Sequence, residues 1–220
     1  MLTFHLAGIN NQNFLMRDDQ TGTFWQQING RAISGPLTGS HLAPVHSDEL
    51  TFALWRSEAP DGTVLKALAK DANEYETKDW DVRIAKVRTV LDFPNSGLRS
   101  RDLVLGVDAF GASRAYPVER IFSAKLIEDR LGGEAILIVA GPDGKSVRVF
   151  EARVAGQEVT PEFYRTGDVL MDSETGSEWN FSGCAVRGKR TGACLKAVDA
   201  LKDYWFDWRN YHPTTTIFRR

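Results

Sequence analysis

The feature that most constrains the fold of this chain is an internal similarity between two distant segments. Residues 18–25 read DDQTGTFW, and residues 172–179 read DSETGSEW. The similarity continues beyond both segments with a single one-residue gap, which gives fifteen identities in all. Because self-similarity is the signature of a repeated structural unit, it predicts an internal duplication. The identical pairs are Asp18 and Asp172, Thr21 and Thr175, Gly22 and Gly176, Trp25 and Trp179, Gly30 and Gly183, Ala32 and Ala185, Gly35 and Gly188, Thr38 and Thr191, Gly39 and Gly192, Leu42 and Leu195, Val45 and Val198, Trp55 and Trp208, Arg56 and Arg209, Pro60 and Pro213, and Thr63 and Thr216.

Each copy predicts the same short unit of a turn, a hairpin, a helix and a strand. Asp-x-x-Thr-Gly is typical of a turn, because Asp bonds to nearby backbone and Gly takes a positive φ. Residues 30–42 and 183–195 each read as two strands around a Gly-bearing turn, which is the pattern of a hairpin. A final strand is expected at residues 63–65 and again at residues 216–218.

A short helix is expected between the hairpin and the final strand of each copy. In the first copy Ser47 is placed to cap the helix and Pro60 to stop it. In the second copy Asp199 and Pro213 take those two places, and Leu201 begins the apolar face.

The segments between the copies predict more strands than helices. Residues 66–102 are polar and weakly periodic, so we interpret them as a long, largely irregular connection. Residues 103–117 read as two strands around Gly111, and residues 135–140 and 146–152 as a buried strand and its return. Since no βαβα alternation is present, the sequence predicts an α+β fold of mostly antiparallel strands with short helices. We divide the chain into a first, partial repeat unit (1–65), a connecting segment (66–102) and a second, more complete repeat unit (103–220).

Composition and motifs exclude several classes of function. The chain has 220 residues and a net charge of -2, so no strong field attracts nucleic acid and we expect no nucleic-acid partner. No apolar run approaches the roughly 18 residues of a membrane span, and the first residues lack the pattern of a signal peptide. The sequence contains no phosphate-binding loop, no Gly-x-Ser-x-Gly elbow and no His-Glu-x-x-His spacing. We therefore assign no catalytic residue, no metal site and no cofactor.

The repeated Asp-x-x-Thr-Gly-x-x-Trp elements provide the best candidate ligand-binding residues, which are Asp18, Trp25, Asp172 and Trp179. In the functional interpretation, each element offers a polar lip beside an aromatic platform that suits a sugar or another flat ligand. In the structural interpretation, Asp fixes the turn and Trp anchors the core. Duplication favours the structural interpretation, because both copies keep the elements of the fold whatever each copy binds.

Arg56 and Arg209 are further candidates, since each follows the helix Trp of its copy. Such an Arg can stack on the ring, pair with a carboxylate, or offer an anion fork. Structural pairing is the interpretation we favour.

Cys184 and Cys194 flank the second hairpin symmetrically about Lys189, and Arg31 and His41 occupy their positions in the first copy. Residues directly opposed in a hairpin have Cβ atoms about 5 Å apart, close to what a disulfide needs. The pair is therefore a candidate disulfide, with free thiols as the alternative. Two ligands are too few for a metal site.

These stretches together resemble the bacterial Domain of Unknown Function 3179 family. The stretches LTFHLAG, DDQTGTFWQQINGRAISGPLTGSHL and APDGTVL look like its middle segment. Its C-terminal half is similar to the stretches LVLGVDAFGASRAYP, LGGEAILIV, GDVLMDSETGSEW, SGCAVRGKRTGACL and YWFDWRNYHPTT. The resemblance covers almost the whole chain.

The resemblance implies an exported or lipid-anchored protein of no settled activity, located in the periplasm or outside the cell. Family members are longer at the N-terminus, with a leader, an Ala-Tyr-Pro segment and a Cys-Pro-x-Cys-type motif before the LTF strand. This sequence shows none of them, so we expect a truncated member, a misplaced start, or a chain completed by a separate partner. Residues 139–144 stand at the place of the Cys motif in the second copy, and they offer no thiol.

Three hypotheses of function follow. The first is a non-catalytic exported module for binding or assembly. The second is an enzyme or redox protein of unknown class with a site between two lobes. In the third, the chain is one subunit of a larger complex, and a partner chain supplies strands beside residues 2–4, where an unpaired strand edge invites pairing.

Overall fold

Antiparallel strands dominate the computed structural model, which describes residues 1–154 and 160–219. The described strands form four sheets of four strands each, and the helices are short. This confirms the predicted α+β class of mostly antiparallel strands. No helix in the described part of the chain is long and apolar enough to cross a membrane.

The strands are β1 (Phe4–Asn10), β2 (Asn13–Asp18), β3 (Phe24–Gln26), β4 (Ala32–Ser34), β5 (Leu103–Ala109), β6 (Ala112–Pro117), β7 (Leu126–Leu131), β8 (Glu134–Ala140), β9 (Val147–Val154), β10 (Phe163–Thr166), β11 (Val169–Asp172), β12 (Glu178–Trp179), β13 (Ala185–Arg187), β14 (Leu195–Val198), β15 (Ala200–Tyr204) and β16 (Thr216–Ile217). The helices are α1 (Phe52–Glu58), α2 (Trp80–Ile84), α3 (Val118–Ala124) and α4 (Trp205–Tyr211), and 3₁₀ turns cover Ala69–Glu74 and Pro94–Ser96.

Four sheets result from the strand pairing. The first sheet has the order β1-β2-β3-β4, and the outer sheet has the order β10-β11-β12-β13. The central sheet has the order β14-β9-β8-β7. The inner sheet has the order β15-β5-β6-β16, in which β16 pairs parallel with β6.

The central sheet is buried on both faces, and this explains why β8 reads as a continuous apolar run. Ile136 and Ile138 point to one apolar cluster, which they share with the inner sheet and α3. Leu137 and Val139 point to a second cluster on the opposite face, shared with the outer sheet. Because side chains alternate between the two faces of a strand, a strand covered on both faces is apolar at every position and shows no polar–apolar alternation.

Helix α4 covers the other face of the inner sheet. Trp205 and Trp208 pack there against Val104 and Ala115 in a third apolar cluster. Gly106 makes this close approach feasible, since a Cβ atom at that position would lie 2.2 Å from the Trp208 ring. The layers of the second unit are therefore the outer sheet, the central sheet, the inner sheet and α4.

The first sheet is not part of this stack. Within residues 1–154 and 160–219, none of the three apolar clusters contains a residue of β1–β4. Its β1–β2 hairpin instead makes polar contacts with α4. The Asn13 side chain donates to Asp207 at 2.9 Å, and the Tyr211 hydroxyl donates to the carbonyl of Asn10 at 3.2 Å.

Each predicted hairpin is reduced to one antiparallel bridge, Arg31 with His41 and Cys184 with Cys194. Its strands pair elsewhere, β4 with β3, β13 with β12 and β14 with β9. The amide of Leu42 donates to the carbonyl of Gly30 at 2.9 Å, and the amide of Leu195 donates to that of Gly183 at 2.8 Å. Strands also form where they were expected around Gly111 and in the region of residues 134–154. The connection 66–102 holds only short helical turns, as predicted.

Both predicted helix caps are wrong. The side chain of Thr51, not Ser47, accepts from the amide of Leu54 at the start of α1. In the second unit residues 200–204 form β15 instead of the first helical turn, because this segment pairs with β5. Helix α4 therefore begins at Trp205, well after the predicted cap Asp199.

The predicted final strand forms in only one unit. Residues 216–217 pair with β6, whereas residues 63–65 are not a strand. The domain boundaries at 65 and 102, and the duplication itself, stay predictions.

Candidate functional site

The first Asp-Thr-Gly-Trp element closes on itself. Asp18 accepts hydrogen bonds from the indole nitrogen of Trp25 at 2.9 Å and from the amide of Thr21 at 2.5 Å. Both Asp18 and Trp25 are buried, with 1% and 3% of their surface exposed. Burial opposes ionisation, but the bonds from Trp25, Thr21 and Thr23 outweigh it and lower the pKa of Asp18 to about 2.

The second element repeats this arrangement. Asp172 accepts from the indole nitrogen of Trp179 at 2.9 Å and from the amide of Thr175 at 2.8 Å. Arg190 adds an ion pair to Asp172 at 3.6 Å. Burial again opposes ionisation of Asp172, and the hydrogen bonds again leave its pKa below the usual value.

In each element the Asp carboxylate and the Trp indole therefore satisfy each other's hydrogen-bonding groups. Asp172 and Trp179 are as buried as the first pair, at 0% and 3% exposed. No polar lip and no open aromatic platform is formed by these four side chains. The geometry favours the structural interpretation, in which Asp holds the turn and the Trp ring closes over it.

The two candidate arginines have different environments. Arg56 is exposed on α1. Arg209 donates to the backbone carbonyls of His212 and Pro213, which follow α4. The imidazole of His212, not Arg209, stacks on the Trp208 ring, with centroids 3.6 Å apart. Arg209 thus binds the chain after its helix, in keeping with structural pairing.

The two cysteines are joined by a disulfide in this structure, and they are paired directly across the second hairpin. Arg31 and His41 are paired across the first hairpin in the same way. The redox state of the thiols in solution stays a prediction, which is tested below.

An arginine that the sequence did not single out connects the two units. Arg148 on β9 donates to Asp48 at 2.7 Å and to Glu58 at 2.7 Å, and only 10% of its side chain is exposed. Its guanidinium group also lies 4.7 Å from the centroid of the Phe181 ring. These contacts fix residues 46–58, here called the strap, at the start of β9 in the central sheet.

The middle of the strap, at Thr51, is held by the β8–β9 turn. The hydroxyl of Thr51 donates to Asp143 at 2.7 Å, and the amide of Thr51 donates to the hydroxyl of Ser146 at 3.1 Å. Burial acts against ionisation of Asp143, but bonds from Ser146, Thr51 and the backbone lower its pKa well below the usual range.

A cleft with a volume of about 190 Å³ lies beside the strap. Its apolar wall includes Leu105, Val149 and Val198, and its rim is charged. Most of the rim charges are paired: His46 lies 2.6 Å from Asp199, Lys202 pairs with Glu49, and Arg148 pairs with Asp48. The rim residues are His46, Asp48, Glu49, Lys145, Arg148 and Lys202.

A second polar cluster lies where the first sheet meets α4. Asp203 and Asp207 are neighbours there, and burial followed by the charge of Asp207 raises the pKa of Asp203 to about 7. Burial raises the pKa of Asp207 as well. Each carboxylate keeps one buried oxygen without a hydrogen-bond partner among the described residues, which fits a proton shared between them. Arg101 is the nearby cation, and it stacks over Tyr204 at 4.8 Å.

No metal centre is formed by the residues described: they contain no group of three or more His, Cys, Asp or Glu side chains suited to hold an ion.

The first sheet carries an exposed apolar surface, here called the open face. The register places Phe4 opposite Asp18, Leu6 opposite Met16 and Ile9 opposite Phe14, so these side chains share the face of Trp25. Exposure is 37% for Phe4, 57% for Leu6, 68% for Ile9 and 50% for Phe14. The open face consists of Phe4, Leu6, Ile9, Phe14, Met16 and, at the end of the hairpin, Leu42.

A family model described as "Protein of unknown function (DUF3179)" matches residues 2–215, which is nearly the whole chain. The chain belongs to the DUF3179 family. No curated protein and no solved structure matches it significantly. The family description assigns no activity, so a role for this DUF3179 chain has to be argued from its own surfaces.

Sequence reasoning missed the strap, the acid pair and the open face. Arg148, Asp48 and Glu58 lie far apart in the chain, and nothing local marks them as partners. The only available signal for the acid pair was the four-residue spacing of Asp203 and Asp207. The open face was hidden because the residues of β1 and β2 read like those of an ordinary half-buried hairpin.

Proposed function

We propose that this chain is a non-catalytic binding or assembly module that works in the periplasm or outside the cell. The open face carries the proposal, because contiguous exposed apolar side chains such as Leu6, Ile9 and Phe14 mark interaction sites on soluble proteins. A disulfide between Cys184 and Cys194 supports the location, since such bonds persist in oxidising compartments.

The charged groups of the strap support a structural use rather than a catalytic one. Arg148 donates hydrogen bonds to Asp48, Glu58 and Ser182, and one ring nitrogen of His46 is paired with Asp199. Groups that are paired in this way hold two parts of the chain together.

An enzyme with its site in the strap cleft is the second candidate function. It is favoured by one observation, which is that five ionisable side chains line a cleft of about 190 Å³: His46, Asp48, Glu49, Lys145 and Arg148. A small polar substrate would have to displace at least one of the ion pairs described above.

Native fractionation tests the leading proposal. The tagged full-length chain is expressed in its organism of origin, and the native extract is separated by size. We expect elution well above the 24.6 kDa of the monomer, and recovery of the chain in the periplasmic or extracellular fraction.

Ile9→Lys together with Phe14→Lys should return the chain to monomer size, because two charges on the open face oppose apolar burial. The matched control, Val82→Lys with Val186→Lys, alters two equally exposed side chains elsewhere and should leave the complex intact. Elution of the unaltered chain at 24.6 kDa in every fraction would contradict the proposal.

A further inference from the structure

The first sheet and the outer sheet present equivalent faces, and only one of the two is covered. Phe4 pairs with Asp18 and Phe163 pairs with Asp172. The Phe4 ring meets Trp25 edge-on at 6.1 Å, and the Phe163 ring meets Trp179 edge-on at 5.5 Å. The same three side chains, Phe, Asp and Trp, therefore occupy equivalent positions in the two sheets, whereas Leu6 stands where the outer sheet has Arg165.

In the second unit the central sheet covers this surface. Leu137 and Val139 of β8, with Phe150 of β9, pack against Phe163 and Trp179. Phe163 is consequently only 4% exposed, and Leu195, which lies in the covering sheet as part of β14, is 6% exposed. Phe150 sits so close to Gly183 that a Cβ atom there would lie 2.5 Å from the ring.

In the first unit the corresponding side chains are open. Phe4 is 37% exposed, and Leu42, which aligns with Leu195, is 39% exposed. At Gly30, which aligns with Gly183, the nearest neighbours are atoms of Leu42 rather than an aromatic ring. The β1–β2 hairpin is longer than β10–β11, so Ile9 and Phe14 extend the surface further.

Two stretches of the first unit also lack the strand partners that their counterparts have. Residues 42–45 align with β14, which pairs with β9, but they form no strand. Residues 63–65 align with β16, which pairs with β6. In the second unit, every one of these partners lies within residues 103–154.

We infer that the open face docks an antiparallel β-sheet of another polypeptide segment, which pairs its edge strand with residues 42–45. The docked sheet presents aliphatic and aromatic side chains arranged like Leu137, Val139 and Phe150. Pro44 stands where β14 has Ala197, and an edge strand tolerates Pro where its amide would face solvent. The inference rests on the proposed function and names the class of partner.

A second copy of the chain is a poorer occupant than a separate sheet. The central sheet of a copy already has both faces buried, so it has no free face of this kind to offer. A lipid surface would satisfy apolar side chains but would leave the backbone groups of residues 42–45 without strand partners.

A grafted sheet tests the inference. Residues 103–161 are fused as an added copy ahead of Thr3, so that a second β7–β9 precedes β1 as β7–β9 precedes β10. Hydrogen exchange of residues 42–45 and hydroxyl-radical labelling of Phe4 and Leu42 are measured. We expect exchange at Ala43 and Val45 to slow, whereas the amide of Leu42 already donates to Gly30. Labelling of Phe4 and Leu42 should fall to the level of Phe163 and Leu195.

The matched control graft carries Leu137→Lys and Phe150→Lys in the added copy only, and it should leave both measurements at the level of the ungrafted chain. Unchanged exchange and labelling with the intact graft would overturn the inference. Two results with the ungrafted chain would also overturn it. One is protection of the Leu42 side chain from labelling that rises with the concentration of the chain. The other is the same protection on vesicles of phosphatidylglycerol and phosphatidylethanolamine.

The native complex gives an independent measurement and separates the two proposals. Slow exchange of residues 42–45 within that complex supports the inference. A complex that depends on Ile9 and Phe14 but leaves residues 42–45 unprotected keeps the binding function and overturns the docked sheet. Absence of any complex removes the proposed function, while the graft still decides whether the open face accepts a sheet.

Discussion

Single residues hold the two Asp-Thr-Gly-Trp turns, and their role was predictable from the sequence. An Asp that caps a turn and a Trp that closes over it are local features, set within eight residues of chain. Their hydrogen bond, from Trp25 to Asp18 and from Trp179 to Asp172, was not predictable, because it depends on how the ring folds back over the turn.

The two tryptophans should differ in their contribution to stability. Trp179 packs in the apolar cluster between the outer and central sheets, whereas Trp25 belongs to none of the described clusters. Trp179→Ala should therefore lower the free energy of unfolding by roughly 3–5 kcal/mol, the usual range for emptying a large core site. Urea denaturation measures the loss.

Trp25→Ala is the matched control for this prediction and should cost clearly less. Equal losses for the two variants would mean that the first sheet is covered as well as the outer sheet. An unaltered midpoint for Trp179→Ala would show that its ring is not part of the core.

At the scale of elements, similar sequences take different structures when their strand partners differ. Residues 195–198 form β14 beside β9, whereas the aligned residues 42–45 stay irregular. The positions of the two turns were predicted correctly, since turns are set locally. Their returning strands were not, because residues 36–40 form no strand and β14 pairs with β9. The final strand at 63–65 and the start of the helix predicted after Asp199 were wrong, since pairing with distant strands decides both segments. The rest of that helix forms as α4.

The disulfide should stabilise the second hairpin. Cys184 and Cys194 are separated by 10 residues, and closing a loop of that size is worth about 2–3 kcal/mol in the chain-entropy account. Cys184→Ser with Cys194→Ser should lower the melting temperature measured by calorimetry, and reductant should have no further effect on that variant.

The control for the disulfide is Arg31→Ser with His41→Ser, at the same positions of the first hairpin, for which we expect little change. Mass spectrometry without reductant provides a direct check. Two alkylatable thiols in native exported material would contradict the disulfide.

At the scale of the whole molecule, polar and charged side chains join units that share no described apolar cluster. Arg148 connects the strap to the central sheet, and Asn13 and Tyr211 connect the first sheet to α4. Such contacts were beyond sequence reasoning, because each joins residues about 90 or more positions apart without a motif. The core strands, by contrast, could be predicted from the alternation and apolar runs of residues 103–154.

Removal of the strap arginine should loosen this connection. Arg148→Ala leaves Asp48 and Glu58 without their shared cation, which should cost on the order of 2–4 kcal/mol. Hydrogen exchange should also rise across residues 46–58. Lys196→Ala removes an exposed pair with Glu151 on the same sheet and should change stability by less than about 1 kcal/mol. Equal effects of the two variants would argue against the strap contact.

The acid pair predicts that the protein is less stable at alkaline than at mildly acidic pH. The pKa of Asp203 is about 7 in the folded chain and 3.8 ordinarily, so the folded state binds the proton more tightly. The resulting stabilisation is complete below pH 3.8 and is lost as pH rises towards 7. Between pH 5 and pH 8 the melting temperature should fall on the order of 5 °C.

Asp203→Asn should abolish most of this fall, because an amide does not titrate. Asp61→Asn, at an exposed turn, should keep it. The carboxyls with lowered pKa values act in the opposite direction and only below about pH 4; they are Asp18, Asp19, Asp143 and Asp172. A melting temperature that rises from pH 5 to pH 8 in the unaltered chain would contradict the shared proton.

The strand order of the second unit has a consequence for biosynthesis. Strands β14, β15 and β16 pair with β9, β5 and β6, all of which precede them by more than forty residues. A chain emerging from the ribosome therefore exposes the edges of β9, β5 and β6 until residues 195–217 are made. Translation that stalls before residue 195 would leave three open sheet edges at once, the kind of nascent species on which a holding chaperone acts.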